Sequence, residues 1–315
     1  MLRLLLLLCL AWPALATPLD ELFAEEGPRP FRGELLISRD GKALHHHSAG
    51  VEPGSRYLIG SLSKQLTAAL VLMAVDQGKL NLDAPIGRYL PALSQDWQAR
   101  VRVRHLLNHS SGILAQDRPL ATAPGEAFRY SDLGYQLLGR ILERVQGLSF
   151  AEQTKALFAR CAMTGASPDG PVLPGFVEDE QHRLAVAAMD GRARQLASGT
   201  LAATVADLVA WNHCLHETDL LGKASYEAMT TASATRDHRW GKLGYGFGVQ
   251  LGDGEISHSG YVPGYIATLL YYPATRTSVA ILENVSWHWA DMGRVFYFHD
   301  QVRTRLAALG SDDRQ

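Results

Sequence analysis

Two hairpin signals near opposite ends of the chain constrain its fold more than any other feature. Asp40-Gly41 follows the apolar run Leu35-Leu36-Ile37, and Asp253-Gly254 precedes three further strand-like runs. Asp-Gly between extended runs is a two-residue β-turn, because both residues tolerate left-handed backbone. Strands are expected over 34–39 and about 43–48, and again over 256–259, 265–272 and 277–283, with Pro273 turning the chain between the last two. Tyr245, Phe247, Val249 and Leu251 alternate with Gly244, Gly246 and Gly248, so one face is apolar and the other nearly bare. A bare face lets a helix pack closely on the sheet. From about Asn81 to Gly241 the apolar spacing is mainly helical, most clearly over 135–145 and 206–215. The second of these opens on Thr204-Val205-Ala206-Asp207, a capping-box pattern with Asp in place of Glu. A final amphipathic helix is expected over about 289–309. Strands at both ends with helices between predict an α+β fold. Both chain ends would build one antiparallel sheet flanked by helices, and a mainly helical lobe would pack against it.

Residues 1–16 read as an export leader. Met1-Leu2-Arg3 is a basic start, Leu4 to Trp12 an apolar stretch, and Ala14-Leu15-Ala16 a small-x-small cleavage site. The stretch is too short to span a bilayer, and no later segment is apolar enough to do so. Leu8 before Cys9 does not fit a lipid-anchor box. The expected address is periplasmic or secreted. Cleavage leaves 315 − 16 = 299 residues, expected as one domain over 17–315. Its sheet lobe would take about 17–80 and 241–315, and its helical lobe about 81–240. Net charge is −2, from 30 Lys+Arg against 32 Asp+Glu, and becomes −3 without Arg3. No basic stripe stands out, which excludes nucleic acid as a partner. Cys161 and Cys214 remain in the mature chain. An oxidising compartment permits a disulfide; two buried thiols fit the sequence equally well, since sequence alone gives no distance between them.

The chemistry-bearing residues fall in three segments. In Gly60-Ser61-Leu62-Ser63-Lys64, at the head of an apolar helical run over 65–80, Ser61 and Lys64 lie one turn apart on one face. A serine hydroxyl is a weak nucleophile until a base removes its proton, and a desolvated lysine amine is such a base. The second segment is Phe128-Arg129-Tyr130-Ser131-Asp132-Leu133-Gly134-Tyr135. The third is Ile256-Ser257-His258-Ser259-Gly260-Tyr261-Val262-Pro263-Gly264-Tyr265. Together they resemble the three motifs of the serine β-lactamase and penicillin-binding protein family, in the flavour of class C β-lactamases, D-alanyl-D-alanine carboxypeptidases and related esterases. The linking stretches 80–91, 103–112 and 197–208 are also similar to this family.

The resemblance implies a β-lactamase/transpeptidase-like catalytic domain that forms an acyl-enzyme without a cofactor or metal. Ser61 would be the nucleophile, Lys64 its base, and Tyr130 the phenol that shuttles a proton to the leaving group or activates water. The backbone N–H groups of Ser61 and Tyr261 would form the oxyanion hole. Asp132, His258, Ser259 and Gly260 would contact substrate, the last two at a strand edge. Candidate substrates are D-alanyl peptides such as those derived from peptidoglycan, β-lactams and small esters. The alternatives are a class C-type β-lactamase and, from another class, a penicillin-binding sensor or non-catalytic binding protein. Two residues depart from the family pattern. Asp132 stands where an Asn is usual and, when ionised, only accepts hydrogen bonds. Beside Lys64 it would favour the ammonium; Asp132 would then serve a substrate with a donor group, be protonated, or be paired with a cation. His258 stands where lysine is common and carries less charge at neutral pH.

Simpler readings attach to the same residues. Taken singly, Ser61 is a helix N-cap and Lys64 a surface lysine. Tyr130 is a core aromatic, Asp132 an N-cap for a helix starting near Leu133, and His258 a solvent-facing strand residue. His45-His46-His47 alternate faces on a strand and do not converge on one ion. His105 and His109 have ligand-like i,i+4 spacing, but lie in a stretch similar to a structural one of the family. Gly244 to Gly248 precedes a strand rather than opening a helix, so it is no nucleotide loop. Trp287-His288-Trp289 reads as a packing cluster.

Overall fold

The computed structural model describes residues 16–24, 27–93, 95–188 and 191–312; the leader pattern, save Ala16, lies outside them. In chain order the elements are α1 (Ala16–Ala24), β1 (Gly33–Arg39), β2 (Lys42–Ala49), β3 (Tyr57–Leu58), α2 (Ser63–Asp76), α3 (Val103–Leu107), α4 (Asp132–Gln146) and α5 (Phe150–Arg160). There follow β4 (Phe176–Glu178), β5 (Leu184–Val186), β6 (Ala202–Ala203), α6 (Val205–Glu217), α7 (Lys223–Thr230), β7 (Ala234–His238), β8 (Gly241–Tyr245) and β9 (Gln250–Leu251). The chain closes with β10 (Ile256–Val262), β11 (Tyr265–Tyr272), β12 (Thr277–Glu283), β13 (Val285–Ser286), α8 (Met292–Val295) and α9 (Tyr297–Asp312).

One eight-stranded sheet runs in the order β2-β1-β12-β11-β10-β9-β8-β7. Its seam is the antiparallel pairing of β1 with β12, Leu36 opposite Ala280, which joins the two ends of the chain as expected. Asp40 (φ 51°) and Gly41 (φ 73°) both take the left-handed backbone of a tight hairpin turn. Both faces of the sheet are covered. Leu270, Val279 and Ile281 meet Leu19 and Leu22 of α1 and Phe298 and Val302 of α9. Their neighbours Leu269, Ala280 and Leu282 face the opposite way, into the large core around α2 and α6. Burial on both faces explains why β11 and β12 are apolar runs rather than alternating ones.

Helix α2 is apolar nearly all round, with Leu66, Ala68, Ala69, Leu70, Val71, Leu72 and Ala74 buried, as befits a central helix. Gly78 (φ 70°) takes the left-handed backbone just beyond its end. Helix α6 opens on the expected box: Thr204 accepts from the Asp207 N–H while Asp207 accepts from the Thr204 N–H. Cys161 and Cys214 form a disulfide between the end of α5 and α6. Among the described residues, no helix is long and apolar enough to cross a membrane.

Five expectations need correction. The sheet resumes at Ala234 rather than 241, because β7 pairs with β8 from Ala234↔Tyr245 to His238↔Gly241. The middle of the chain also holds strands: β3 pairs β6, and β4, β5 and β13 form a small sheet. The Tyr245–Leu251 ribbon is interrupted. Gly246 N–H donates to Val249 O, and Gly248 takes φ 74° where a Cβ would also sit 2.7 Å from the Lys64 carbonyl oxygen. The close helix packing expected of these glycines is thus present, at the cost of the strand. The last helix is two, α8 and α9, broken at Phe296, and the first helical run ends at Asp76 rather than Leu80. The three β2 histidines diverge: His46 meets Glu34, His47 stacks on Phe23, and His45 faces Asp20.

The disulfide closes a loop with a sequence separation of 53. Cross-linking a loop of that size stabilises a domain by up to about 4 kcal/mol. The double variant Cys161→Ser/Cys214→Ser should therefore melt well below the oxidised protein and be insensitive to reductant. An unchanged Tm would exclude a stabilising cross-link.

Candidate active site

Ser61 lies on a single 3-10 turn, Gly60–Leu62, that feeds into α2. Neither helix start uses its hydroxyl as a cap, so the oxygen is free for other work. The turn touches β10 backbone to backbone. A Cβ on Gly60 would lie 2.8 Å from Gly260 Cα and 2.9 Å from Tyr261 N; one on Gly260 would lie 2.4 Å from Ile59 O and 3.0 Å from Ser61 N. Two residues without side chains thus bring the Ser61 and Tyr261 amide nitrogens to one seam. Beyond Ser257, β10 has lost β9 as a partner, so Ser259 to Val262 form an open strand edge there.

Lys64 is fully buried and its ammonium is fully used. Nζ donates to Ser61 Oγ at 3.1 Å, to Asp132 Oδ1 at 2.6 Å and to the Ser198 carbonyl at 2.5 Å. An ammonium has three protons for these three acceptors, and a carboxylate as near as Asp132 favours that charged form over the neutral base expected of a desolvated lysine. Asp132 is not the N-cap of α4 either. Ser131 is, accepting from the Gly134 N–H at 3.1 Å, and Asp132 is the first helical residue. The Ser198 carbonyl comes from a π-helical turn, Leu196–Thr200; a backbone acceptor of this kind carries no signal in the sequence.

Tyr130 stands over Lys64, with its ring centroid 4.8 Å from Nζ. The centroid of the His109 ring lies 4.2 Å from that of Tyr130. His109 is buried, and its Nδ1 accepts from the Ser131 N–H at 3.1 Å. His105 takes the Arg102 N–H on Nδ1 at the start of α3, so the two histidines do not converge.

His258 is buried rather than facing solvent. Its Nδ1 lies 2.8 Å from the Ser259 carbonyl and its Nε2 3.1 Å from the Tyr245 hydroxyl. A carbonyl only accepts, so Nδ1 carries the proton and Nε2 accepts from Tyr245. Burial, then the charge of Lys64, pushes the ring down to about 3. His258 is thus neutral and cannot serve as the cation of the third motif. The cleft takes its positive charge elsewhere. Arg236 and Arg239 line it together with Ser61, Tyr130, Asp132 and Ser259, around a volume of ≈ 590 Å³. Arg239 Nη2 donates to Ser259 Oγ at 3.2 Å, and Arg236 lies 5.7 Å from the Tyr130 ring. Neither arginine belongs to a motif; their only trace in the sequence is the charged run Arg236-Asp237-His238-Arg239. Met292, Phe296 and Tyr261 give the cleft an apolar margin. Trp287 packs inside the fold as expected, whereas Trp289 is 69% exposed.

A half-buried serine hydrogen-bonded to a buried lysine and facing a phenol, in a helix-flanked antiparallel sheet, defines a serine hydrolase of the β-lactamase/transpeptidase fold. The family model described as Beta-lactamase matches residues 33–291, and the chain belongs to that family, whose members are serine hydrolases. Penicillin-binding protein 4* of Bacillus subtilis is 26% identical, over 84% of this chain and 71% of that protein. The structure of the octameric penicillin-binding protein homologue from Pyrococcus abyssi is 28% identical with a TM-score of 0.75, covering 85% of this chain and 73% of that one. D-amino acid amidase from Ochrobactrum anthropi SV3 shares the fold at a TM-score of 0.79 and 18% identity, over 96% and 98% of the two chains.

The buried neutral His258 ties stability to pH. Its folded value lies below the unfolded one of 6.5, so between about 3 and 6.5 the unfolded chain binds the extra proton. Its contribution is complete above the upper bound and lost as pH falls, at about 1.4 kcal/mol per pH unit. Melting at pH 7 and pH 5 should show a smaller acid loss for His258→Gln than for the wild type. Equal losses would mean that His258 is charged in the folded protein.

Proposed function

We propose that the protein is an exported serine hydrolase that cleaves amide or ester bonds through an acyl-enzyme on Ser61. Its substrates are of the D-alanyl peptide, β-lactam or small-ester type and carry a carboxylate. The observation that supports this reading is the Lys64–Ser61 hydrogen bond at the floor of a cleft also lined by Tyr130, Ser259 and Gly260. Because Ser61 Oγ accepts from Lys64, its own proton points away from the ammonium. In acylation, Oγ bonds to the carbonyl carbon while that proton passes to the Tyr130 oxygen. Tyr130 in turn gives its phenolic proton to the departing nitrogen or oxygen as the scissile bond breaks, and ends neutral. The ammonium of Lys64 lowers the cost of negative charge on both oxygens during the transfer. The carbonyl oxygen, anionic in the tetrahedral intermediate, faces the Ser61 and Tyr261 N–H groups. Water then adds to the acyl-enzyme, and the acid leaves as Ser61 regains its proton.

The substrate carboxylate is placed opposite Arg236, because His258 is neutral and Arg239 is engaged by Asp300 at 2.7 Å. Export rests on the leader pattern and on the Cys161–Cys214 disulfide, which belongs to an oxidising compartment; a mature N-terminus at Thr17, read by mass spectrometry, would agree with it.

A fluorescent penicillin or fluorophosphonate should add one label to the wild type and none to Ser61→Ala. Intact labelling of Ser61→Ala would sink the mechanism. A stable adduct without turnover would instead favour a sensor, consistent with a Lys64 held charged by Asp132. Arg236→Ala should raise KM about tenfold for a carboxylate-bearing substrate, the worth of a charged hydrogen bond, and spare a neutral ester. Equal effects on both would remove Arg236 from carboxylate recognition.

A further inference from the structure

Behind the third motif runs a buried chain of polar groups that the acyl-transfer steps do not use. Ser259 and Thr268 face each other across β10 and β11, with their hydroxyl oxygens 3.5 Å apart. Thr268 Oγ1 lies 2.8 Å from Nδ1 of His299, and His299 Nε2 lies 3.0 Å from Oε1 of Glu283. Glu283 accepts from both terminal guanidinium nitrogens of Arg29 at 2.7 Å. Thr268, Glu283 and His299 are each 0% exposed. On the cleft side Arg239 donates to Ser259, and its Nε is held by Asp300, one residue after His299 on α9.

Donor and acceptor chemistry sets the direction of the protons. Burial alone would raise the Glu283 carboxyl, but Arg29 and the His299 N–H outweigh it and hold it below its ordinary value. A carboxylate only accepts, so the proton on its side of His299 sits on Nε2. Burial keeps His299 below its ordinary value although Glu283 opposes it, so the ring is neutral and Nδ1 is bare. Nδ1 therefore accepts the Thr268 O–H, and Thr268 has no proton left for Ser259. Arg239, which only donates, gives to the Ser259 oxygen. Ser259 keeps its own proton, and among the described residues its one acceptor, Thr268 Oγ1, stands at the long limit of a hydrogen bond.

We propose that Glu283, His299, Thr268, Arg239 and Asp300 are positioning residues that commit the Ser259 hydroxyl to donate to an acceptor oxygen of the bound substrate. The site thereby accepts a carboxylate or carbonyl oxygen at Ser259 and disfavours an ammonium or N–H group there, which would meet a donor. This deepens the acyl-enzyme reading and, in its kinetic arm, rests on it.

Two measurements on the mature protein test the proposal. The first needs no turnover. Nitrogen-15 NMR of histidine-labelled protein at pH 7, with His299 assigned from a His299→Gln spectrum, should show a neutral ring protonated on Nε2. Thr268→Val should shift its Nδ1 resonance. An Nδ1–H tautomer or an imidazolium overturns the proposal. The second is a double-mutant cycle on the rate of acylation by a fluorescent penicillin. Ser259→Ala should cost about tenfold and Thr268→Val about threefold, as expected for one neutral hydrogen bond and its orientation. The double variant should lose no more than Ser259→Ala alone. Additive losses, or a Thr268→Val loss that merely tracks its Tm, would overturn the relay. Absence of Ser61-dependent labelling in the wild type would overturn the acyl-enzyme reading instead, and the tautomer would still decide the relay.

Discussion

The buried ammonium of Lys64 is the constraint on which the rest of the site depends. A charge with no exposed surface must be matched by acceptors, or its burial costs several kcal/mol. Its three acceptors come from three separate parts of the chain: the Ser61 turn, the first residue of α4, and the π-helical turn before β6. Satisfying one side chain therefore fixes Ser61, the head of the helical lobe and the floor of the cleft relative to one another. The Asp132 partner, 61% exposed, gives the same charge a route to solvent. An amine that donates three times has no lone pair to offer.

The sheet supplies the second constraint. Pairing β1 with β12 ties the chain ends together, and helices on both faces leave β10 and its neighbours no freedom to shift. Against that fixed edge, Gly60 and Gly260 let the nucleophile turn reach backbone contact. A methyl group on either would push Ser61 away from the Tyr261 amide. Precision at the site thus comes from absent side chains as much as from reactive ones. The polar chain from Arg29 to Ser259 adds orientation from the far face of the same sheet, so that α9 contributes to a cleft its main body does not line.

Much of this was legible from local pattern. Asp40-Gly41 announced its hairpin because two left-handed residues suit few other structures. Thr204 and Asp207 announced the start of α6 because capping is settled within one turn. The Ser61, Tyr130 and His258 segments announced the family because each is short and contiguous. Other features were not legible. The Gly246–Val249 break depends on where α2 passes, and the Phe296 break divides a run whose apolar spacing is continuous. Arg236 and Arg239 sit in no motif, and the Ser198 acceptor is backbone, which every residue possesses.

Sequence by itself determined the α+β layout, the candidate nucleophile and the residues that stand near it, since these follow from periodicity, turn chemistry and short motifs. Only the tertiary structure decided what those residues are in charge and direction. Asp132, 2.6 Å away, favours the charged form of Lys64, and His258 is neutral because the sheet buries it. Protonation and hydrogen-bond polarity depend on distance and desolvation between segments far apart in the chain. Those quantities exist only once the segments have met.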